Sequence, residues 1–301
     1  MPELPEVEVV RAGLEPAITG ALIEGVSVLD ERALTRHRGD AAVFTSALMG
    51  RRLTAAVRRG KFLWMPLDGG REAVVGHLGM SGQLLLRESG APAERHERVR
   101  IDILHPAHGS LAVVFADQRT FGSLAIDELR PCADGLAGGR GSELRLVPSQ
   151  VAHIARDPLD PGFSDERFRA LLARKASGVK RVLLDQTVAS GIGNIYADEA
   201  LWAARIHPET PASALATRSV NRLLAEVRAV LAKALAEGGT SFDAQYVNVN
   251  GQAGYFSRSL QVYGRSGEPC RRCGAAIRRV AFMNRSSHFC PRCQRGRSIE
   301  P

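Results

Sequence analysis

The sequence has little of several features that mark other classes of protein. Among its 301 residues no stretch approaches the 18 uninterrupted apolar residues of a membrane-spanning helix. The amino terminus lacks the basic segment followed by an apolar segment that a secretory signal would show. Only five cysteines occur, four of them between residues 270 and 293, and this clustering suits metal binding better than a secretory disulfide framework. We therefore expect an unanchored, cytoplasmic protein that has no membrane partner.

Acidic residues are scarce at the carboxyl end of the chain. Overall, 40 Lys and Arg exceed 32 Asp and Glu, which gives a formal net charge of +8. Between Arg258 and Arg297 there are ten arginines, no lysine and one acid, Glu268, so this segment alone carries +9 (10 − 1). Such a concentration of positive charge predicts an acidic partner such as nucleic acid.

The same basic segment contains a cysteine pattern typical of a metal site. Two CxxC pairs are separated by 16 residues, and a glycine or a proline follows a cysteine in each pair. Tetrahedral zinc prefers four thiolates, and two such turns on hairpins deliver them, whereas a redox CxxC would need only one pair. The sequence therefore predicts one structural zinc ion in a basic hairpin that presents Arg285 to a phosphate backbone, and its ligands would be Cys270, Cys273, Cys290 and Cys293.

The first eight residues, Met-Pro-Glu-Leu-Pro-Glu-Val-Glu, predict a helix tip that carries an amine and carboxylates. Removal of Met1 before a small second residue would leave Pro2 with a free secondary amine. A chain-terminal amine, with a pKa near 7.7 to 8.0, is far richer in nucleophilic free base at neutral pH than a lysine near 10.4. Condensed with a sugar aldehyde, a secondary amine gives a charged iminium that acidifies the neighbouring C–H bonds. The plainer alternative is a frayed start of a surface helix.

The rest of the chain divides into a β-rich part and a helical part. Short segments rich in valine, leucine and isoleucine predict an antiparallel sandwich or barrel, at 22–29, 51–59, 62–67, 73–78, 83–87, 99–104 and 111–115. A stretch rich in glycine, proline and polar residues follows and predicts an interdomain linker. Helical periodicity then dominates, at 165–174, 180–186, 194–205 and 214–236.

Several motifs taken together resemble one family over nearly the whole chain. They are the amino-terminal octapeptide, Arg-Gly-Lys ending at Lys61, His-Leu-Gly-Met-Ser-Gly at 77–82, Arg-Thr-Phe-Gly at 119–122, Leu-Leu-Asp-Gln at 183–186, Gly-Ile-Gly-Asn-Ile-Tyr-Ala-Asp-Glu at 191–199, and the terminal cysteine module. Seven motifs in family order are hard to obtain by chance. The chain resembles the bacterial formamidopyrimidine-DNA glycosylases, repair enzymes that excise oxidised purines.

This resemblance implies an α+β fold with a defined order of domains. We expect a catalytic β-sandwich domain with flanking helices at 1–148, a linker at 149–164, a helical DNA-binding domain with a helix-two-turn-helix element and a capping loop at 165–257, and a zinc finger at 258–301. The implied partner is double-stranded DNA that contains oxidised bases or abasic sites, bound by a monomer associated with the nucleoid.

The resemblance also implies the roles of individual residues. Pro2 would be the nucleophile at C1′ of the damaged nucleotide, Glu3 the acid/base beside it, and Glu6 a support at the sugar end of the site. Lys61 would contact phosphate and donate a proton in elimination, and Arg285 would assist the second elimination. The implied DNA contacts are His96, Lys175, Lys180 and Asn194, and the residues implied to fill the gap left by an extruded base are Met80, Arg119 and Phe121.

Two segments depart from the family pattern, and two other functions remain as alternatives. Segment 132–145 looks like a surface insertion, and loop 242–254 differs enough that its base contacts are not transferable. An endonuclease VIII-like enzyme would share the nucleophile but prefer oxidised pyrimidines; Leu4, the three gap-filling residues and the long loop favour the purine branch. A non-catalytic zinc-finger DNA-binding protein is the alternative from another class, and it leaves Pro2, Glu3 and Lys61 unexplained.

Overall fold

The computed structural model describes residues 2–240, 249–250 and 254–296. The chain forms two compact units, the first made of 1–153 with 238–255 and the second of 154–237 with 256–301. Met1, on whose removal the predicted nucleophile depends, lies outside the described residues. So does most of the predicted capping loop at 242–254, apart from residues 249, 250 and 254. The four-part domain division drawn from the sequence stays a prediction.

In the described part of the first unit, two antiparallel sheets enclose a common core. One sheet has four strands in the order β1-β6-β7-β5 and the other has five in the order β2-β3-β4-β8-β9. This arrangement agrees with the predicted sandwich and the α+β class. The strands are β1 (Leu22–Val28), β2 (Val57–Arg59), β3 (Phe62–Pro66), β4 (Glu72–His77), β5 (Gly82–Glu88), β6 (Glu97–His105), β7 (Gly109–Asp117), β8 (Ser123–Pro131) and β9 (Leu146–Pro148), and the helices are α1 (Leu4–Ile18), α2 (Ala41–Leu48) and a 3₁₀ turn at Glu31–Leu34.

Helix α1 packs its apolar face into the core of the first unit. Val7, Val10, Leu14 and Ile18 recur every three or four residues, are at most 5 % exposed, and contact side chains from both sheets. The helix predicted to start in the first eight residues runs to Ile18, and Ala17 and Ile18 in its last turn are also buried.

Several elements of the first unit differ from those predicted. Helix α2 was not predicted; it is only eight residues long and starts where the Asp40 carboxylate accepts a hydrogen bond from Val43 N at 2.9 Å. Strands β8 and β9 were also missed, because β8 is defined by its antiparallel pairing with β4, and β9 has only three residues. The strand predicted at 51–59 is regular only over Val57–Arg59.

The described part of the second unit is helical with one β-hairpin. The 20-residue helix α6 packs against α5, and α5 also contacts the second strand of the hairpin. None of the helices described is long and apolar enough to cross a membrane. The predicted helix at 180–186 starts one residue earlier and ends at Leu183. The elements are α3 (Asp165–Ala173), α4 (Val179–Leu183), α5 (Asn194–Ala203), α6 (Thr217–Ala236), β10 (Arg278–Phe282), β11 (Arg285–Phe289), and 3₁₀ turns at Ala212–Ala214 and Phe256–Ser259.

The packing of α1 predicts how two leucine substitutions will differ. Leu14 is fully buried, whereas Leu29, just beyond β1, is 58 % exposed. Because truncating a buried leucine loses apolar burial and leaves a cavity, we expect Leu14→Ala to lower the free energy of unfolding by about 2–5 kcal/mol. Leu29→Ala should change it by less than about 0.5 kcal/mol. Urea denaturation of both variants measures this; equal losses would contradict the packing described for α1.

Candidate active site

The amino-terminal tip of α1 is buried and held by a reciprocal cap. Glu3 N donates to Glu6 Oε2 at 2.9 Å, and the Glu3 carboxylate accepts from the backbone N–H of Glu6, which together form a capping box. Glu3 is 2 % exposed and Pro2 is also buried. Pro5 stands in the first turn, where its missing N–H leaves no helical hydrogen bond unmade. The tip therefore holds residue 2 and the Glu3 carboxylate in fixed positions.

Glu6 also fastens a distant part of the first unit to this tip. Its Oε1 accepts hydrogen bonds from Thr240 N at 2.7 Å and from the Thr240 hydroxyl at 2.9 Å. Gly239, just before it, has a left-handed backbone (φ +82°), and a Cβ there would lie 3.0 Å from the Glu6 carboxylate. Glu6 therefore anchors the chain at the point from which it enters residues 241–248.

Lys61 lies at the tight turn between β2 and β3. Gly60 supplies the left-handed backbone of that turn (φ +58°), and Phe62 immediately afterwards pairs with His77 at the end of β4. The Phe62 and His77 rings lie 4.9 Å apart. Burial, with added repulsion from Arg36 and Lys61, lowers the pKa of His77 to about 4. At neutral pH His77 is therefore an uncharged neighbour of the Lys61 turn.

The three residues predicted to fill the gap of an extruded base lie on two adjoining turns. Met80 lies between β4 and β5, and Arg119 and Phe121 lie between β7 and β8. All three side chains are exposed, Met80 by 36 % and Phe121 by 60 %. Large exposed apolar side chains at loop tips are unusual for a folding role and typical of a contact surface.

A buried carboxylate that the sequence reasoning missed joins these two turns. Asp117, 1 % exposed, accepts hydrogen bonds from the Ser81 hydroxyl, from Arg119 N at 3.0 Å and from Gly122 N at 2.8 Å. The turns also touch backbone to backbone, since a Cβ on Gly79 would lie 2.5 Å from Gly122 N. The available sequence signal was Ser81 and the glycines of the motifs at 77–82 and 119–122. Gly79 and Gly122 permit the close approach that places the exposed tips side by side.

His96 belongs to the same group of turns. It precedes β6, adopts a left-handed backbone (φ +63°), and its carbonyl accepts the Asp117 N–H at 2.9 Å. A non-glycine residue in this region of backbone space carries strain, which the surrounding contacts must maintain. His96 is therefore placed by the residue that also holds the tips of Met80, Arg119 and Phe121.

In the second unit, Asn194 and Lys180 both donate to one carbonyl group beside Arg285. Arg285 is exposed at the start of β11, and the next carbonyl along the chain, that of Ser286, accepts from Asn194 Nδ2 at 3.0 Å and from Lys180 Nζ at 3.2 Å. The start of α5 and the residue after Arg285 are thus tied together.

Lys180 is fully buried in this arrangement. Its ammonium lies 2.7 Å from the carboxylate of Asp198, which is itself 1 % exposed and accepts from His288 N at 2.8 Å. Lys175 is more open; it is about two-fifths exposed and lies 3.3 Å from Asp185. Direct DNA contact by either lysine stays a prediction, and the burial of Lys180 favours a role in fixing the hairpin that carries Arg285.

The four predicted zinc ligands come together at the base of this hairpin. The sulfur atoms of Cys270, Cys273, Cys290 and Cys293 all lie within 4.8 Å of one another. Tetrahedral zinc with Zn–S bonds of about 2.3 Å needs sulfur atoms about 3.8 Å apart, so the group fits one ion. The zinc is structural.

Nearby, Glu199 accepts hydrogen bonds from the backbone N–H groups of residues 261–263, each at 2.9 Å. Glu199 thereby ties α5 to the segment that leads into the zinc-binding module.

Comparison with known proteins matches three parts of the chain to known domains. Residues 1–124 match the formamidopyrimidine-DNA glycosylase N-terminal domain, 154–245 the formamidopyrimidine-DNA glycosylase H2TH domain, and 267–296 a zinc finger found in FPG and IleRS. The fold and site together define a DNA glycosylase of base excision repair with a zinc-finger module.

Full-length relatives narrow this class to one family. A protein from Leifsonia xyli named formamidopyrimidine-DNA glycosylase is 64 % identical, and the match covers 98 % of this chain and 100 % of that protein. A protein of the same name from Nocardioides is 58 % identical, and the match covers 98 % of this chain and 94 % of that protein. The solved complex of Lactococcus lactis Fpg with abasic-site DNA is 32 % identical, has a TM-score of 0.81, and covers 98 % of this chain and 100 % of that one. The chain belongs to the formamidopyrimidine-DNA glycosylase family, a family of glycosylase/AP lyase enzymes.

The lowered pKa of His77 predicts a loss of stability in mild acid. In the unfolded chain His77 takes up a proton near pH 6.5, whereas in the folded chain it does so only near pH 4. The free energy of unfolding is therefore unaffected by His77 above pH 6.5 and falls as the pH drops from 6.5 to 4. Relative to a His77→Gln variant, the native chain should lose up to about 3 kcal/mol of its free energy of unfolding over this range. Denaturant titrations at several pH values measure the difference. His153→Gln, an exposed histidine of the same unit, is the control; a pH-independent difference for His77→Gln would contradict the assignment.

Proposed function

We propose that this chain excises oxidised purines, such as 8-oxoguanine and formamidopyrimidines, from duplex DNA and then cleaves the abasic strand, with Pro2 as the covalent nucleophile once Met1 has been removed. The observation that carries this proposal is the tip of α1, where residue 2 and the Glu3 carboxylate are buried together and locked by the Glu3–Glu6 cap. An unused chain terminus would have no need of such fixation.

The first chemical step requires an amine and an acid/base in one place. The Pro2 nitrogen attacks C1′ of the damaged nucleotide as the glycosidic bond breaks, and the base leaves with a proton. Glu3 acts as the acid/base that donates and accepts protons at the sugar. Opening of the sugar ring gives an iminium, which carries a permanent positive charge because the amine is secondary. The helix amino terminus disfavours the protonated amine and so favours the free base that attacks.

Strand cleavage follows from the acidity that the iminium confers. Loss of a proton from C2′ expels the 3′ phosphate, and loss of a proton from C4′ then expels the 5′ phosphate, so that a one-nucleotide gap with two phosphate ends remains. Lys61, at its turn in the same unit, is proposed as the phosphate contact and proton donor in elimination. Arg285, exposed on the zinc-bearing hairpin, is proposed to hold a phosphate near the lesion and assist the second elimination.

Access to a base within a duplex requires that the base be extruded. Extrusion costs a few kcal/mol of stacking, which an inserted thioether, ring and guanidinium can partly restore. Met80, Phe121 and Arg119 are exposed side by side and held by Asp117, and Arg119 can donate hydrogen bonds to the orphaned partner base. Among similar structures, a Lactococcus lactis Fpg was solved on DNA containing a Fapy-dG lesion, with 32 % identity and a TM-score of 0.80.

Borohydride trapping on three duplexes tests the proposal. The native enzyme should form a covalent adduct with 8-oxoguanine DNA, form less with thymine glycol DNA, and form none with undamaged DNA. Glu3→Gln should slow base excision by about 10²- to 10⁴-fold, the usual contribution of a general acid or base, while DNA affinity changes little.

The controls separate this function from its two alternatives. A chain in which Met1 is retained should bind lesion DNA and yield no adduct, whereas Pro2→Gly still offers a terminal amine and is a weaker control. Faster processing of thymine glycol would indicate an endonuclease VIII-like enzyme. Intact DNA binding with no adduct from the native enzyme would leave only a DNA-binding protein and refute the proposed chemistry.

A further inference from the structure

Segment 132–145 has no part in the function described so far. It lies between the first two matched domains, which end at residue 124 and begin at residue 154, and four of its 14 residues are glycine. A bare surface insertion would touch its neighbours little. In the structure this segment, here called the clamp segment, closes on itself between Cys132 N and the Arg145 carbonyl (2.9 Å) and packs against β2.

The clamp segment hydrogen-bonds to the open edge of the strand that leads to Lys61. Strand β2 is the edge strand of the five-stranded sheet. Arg58 N donates to the Arg140 carbonyl and Arg140 N donates to the Arg58 carbonyl, both at 2.9 Å. In addition, Arg59 Nε donates to the Gly138 carbonyl at 2.8 Å. The edge of β2 is therefore covered just before the turn that bears Lys61.

The fit is close enough to require glycine. A Cβ on Gly139 would lie 2.3 Å from the Arg58 carbonyl oxygen, and a Cβ on Gly141 would lie 2.1 Å from that of Ala56. Backbone atoms cannot yield as a flexible side chain can, so any side chain at these positions would push the segment away from β2. Gly135, in the same segment, has nothing within 4 Å of its Cβ position, and its left-handed backbone (φ +68°) strains any other residue without bringing it against β2.

The clamp segment also adds a third guanidinium group to one buried carboxylate. Glu8 on α1 is 5 % exposed and accepts from Arg58 Nε at 2.6 Å and from Arg11 Nε at 2.9 Å, and Arg140 Nε lies 3.0 Å from the same carboxylate. Arg58 is itself buried, and its Nη1 donates to the Gly60 carbonyl at 3.2 Å. One carboxylate thus connects α1, β2 and the clamp segment.

These contacts join the two elements that carry the proposed chemistry. Glu8 lies on the helix whose tip holds Pro2 and Glu3, and Gly60 directly precedes Lys61. We infer that the clamp segment, through Arg140 and its backbone bonds to β2, positions the Lys61 turn relative to the tip of α1 for elimination. This inference rests on the proposed function, because it concerns how Lys61 is placed relative to the proposed nucleophile, Pro2.

A purely structural role makes a different prediction. Covering an edge strand protects a sheet from wrong pairing and stabilises it, with no effect on the rate of a correctly folded enzyme. A positioning role lowers the rate at saturating enzyme, because misplacement of a catalytic group by about 1 Å can cost about 10²-fold in rate. The rate of strand cleavage within the bound complex separates the two roles.

The test compares paired substitutions within the clamp segment. Gly139→Ala displaces the segment from β2, whereas Gly135→Ala strains a left-handed backbone but enters open space, so it controls for strain without loss of the β2 contact. Arg140→Gln removes a Glu8 partner, and Arg145→Gln removes an exposed arginine of equal charge. For each, single-turnover cleavage of abasic duplex DNA is measured at saturating enzyme and below the melting temperature. Affinity for a duplex with an uncleavable abasic analogue and the melting temperature are measured alongside.

We expect Gly139→Ala to slow cleavage by about tenfold or more and Arg140→Gln to slow it less, with affinity within about twofold of native and both controls at the native rate. Arg140 is more than half exposed, so its variant tests the inference even if Gly139→Ala does not fold. Cleavage rates equal to those of the controls, whatever the melting temperatures, would overturn the positioning role. A native enzyme that neither cleaves nor forms an adduct would instead refute the proposed function.

Discussion

Buried or half-buried carboxylates that accept hydrogen bonds from two separate segments hold this protein's functional residues in place. Glu6 joins the start of α1 to Thr240, Asp117 joins the turns of Met80 and Phe121, and Asp198 joins α5 to the hairpin of Arg285. A carboxylate removed from water must be fully satisfied by donors, so each site admits little movement of either segment. The loops that bear the proposed chemistry are therefore rigid where they are attached and exposed only at their tips.

The same principle explains why charged residues are found deep in both units. Removing one partner of a buried charge leaves the other uncompensated, which costs more than the pair contributes. Lys180 with Asp198 and Arg58 with Glu8 thus act as constraints on geometry more than as sources of stability. In each case a backbone carbonyl, that of Ser286 or Gly60, transmits the constraint to the functional residue beside it in the chain, Arg285 or Lys61.

Much of the fold and of the candidate site could be predicted from the sequence, and the features that could not be predicted were missed for physical reasons. The periodicity of α1 and the spacing of the four cysteines are local patterns, and the structure confirms both the helix and the cysteine cluster. Strand β8 depends on pairing with β4, and the roles of Asp117 and Glu8 depend on partners 36 and 50 residues away, so no local pattern reveals them. The burial of Lys180 could not be predicted, because the sequence cannot show that Asp198 is its neighbour. The packing of segment 132–145 against β2 could not be predicted either, because its glycines signal a loop whether or not it packs.

The central claim is that the capped tip of α1 makes residue 2 the point of covalent attachment to DNA. Its most direct test is mass spectrometry of the borohydride-reduced complex with 8-oxoguanine DNA, digested so that the modified peptide can be sequenced. The account predicts a deoxyribose remnant on the nitrogen of Pro2 in a chain that has lost Met1. A remnant on Lys61, or on any other side chain, would contradict it.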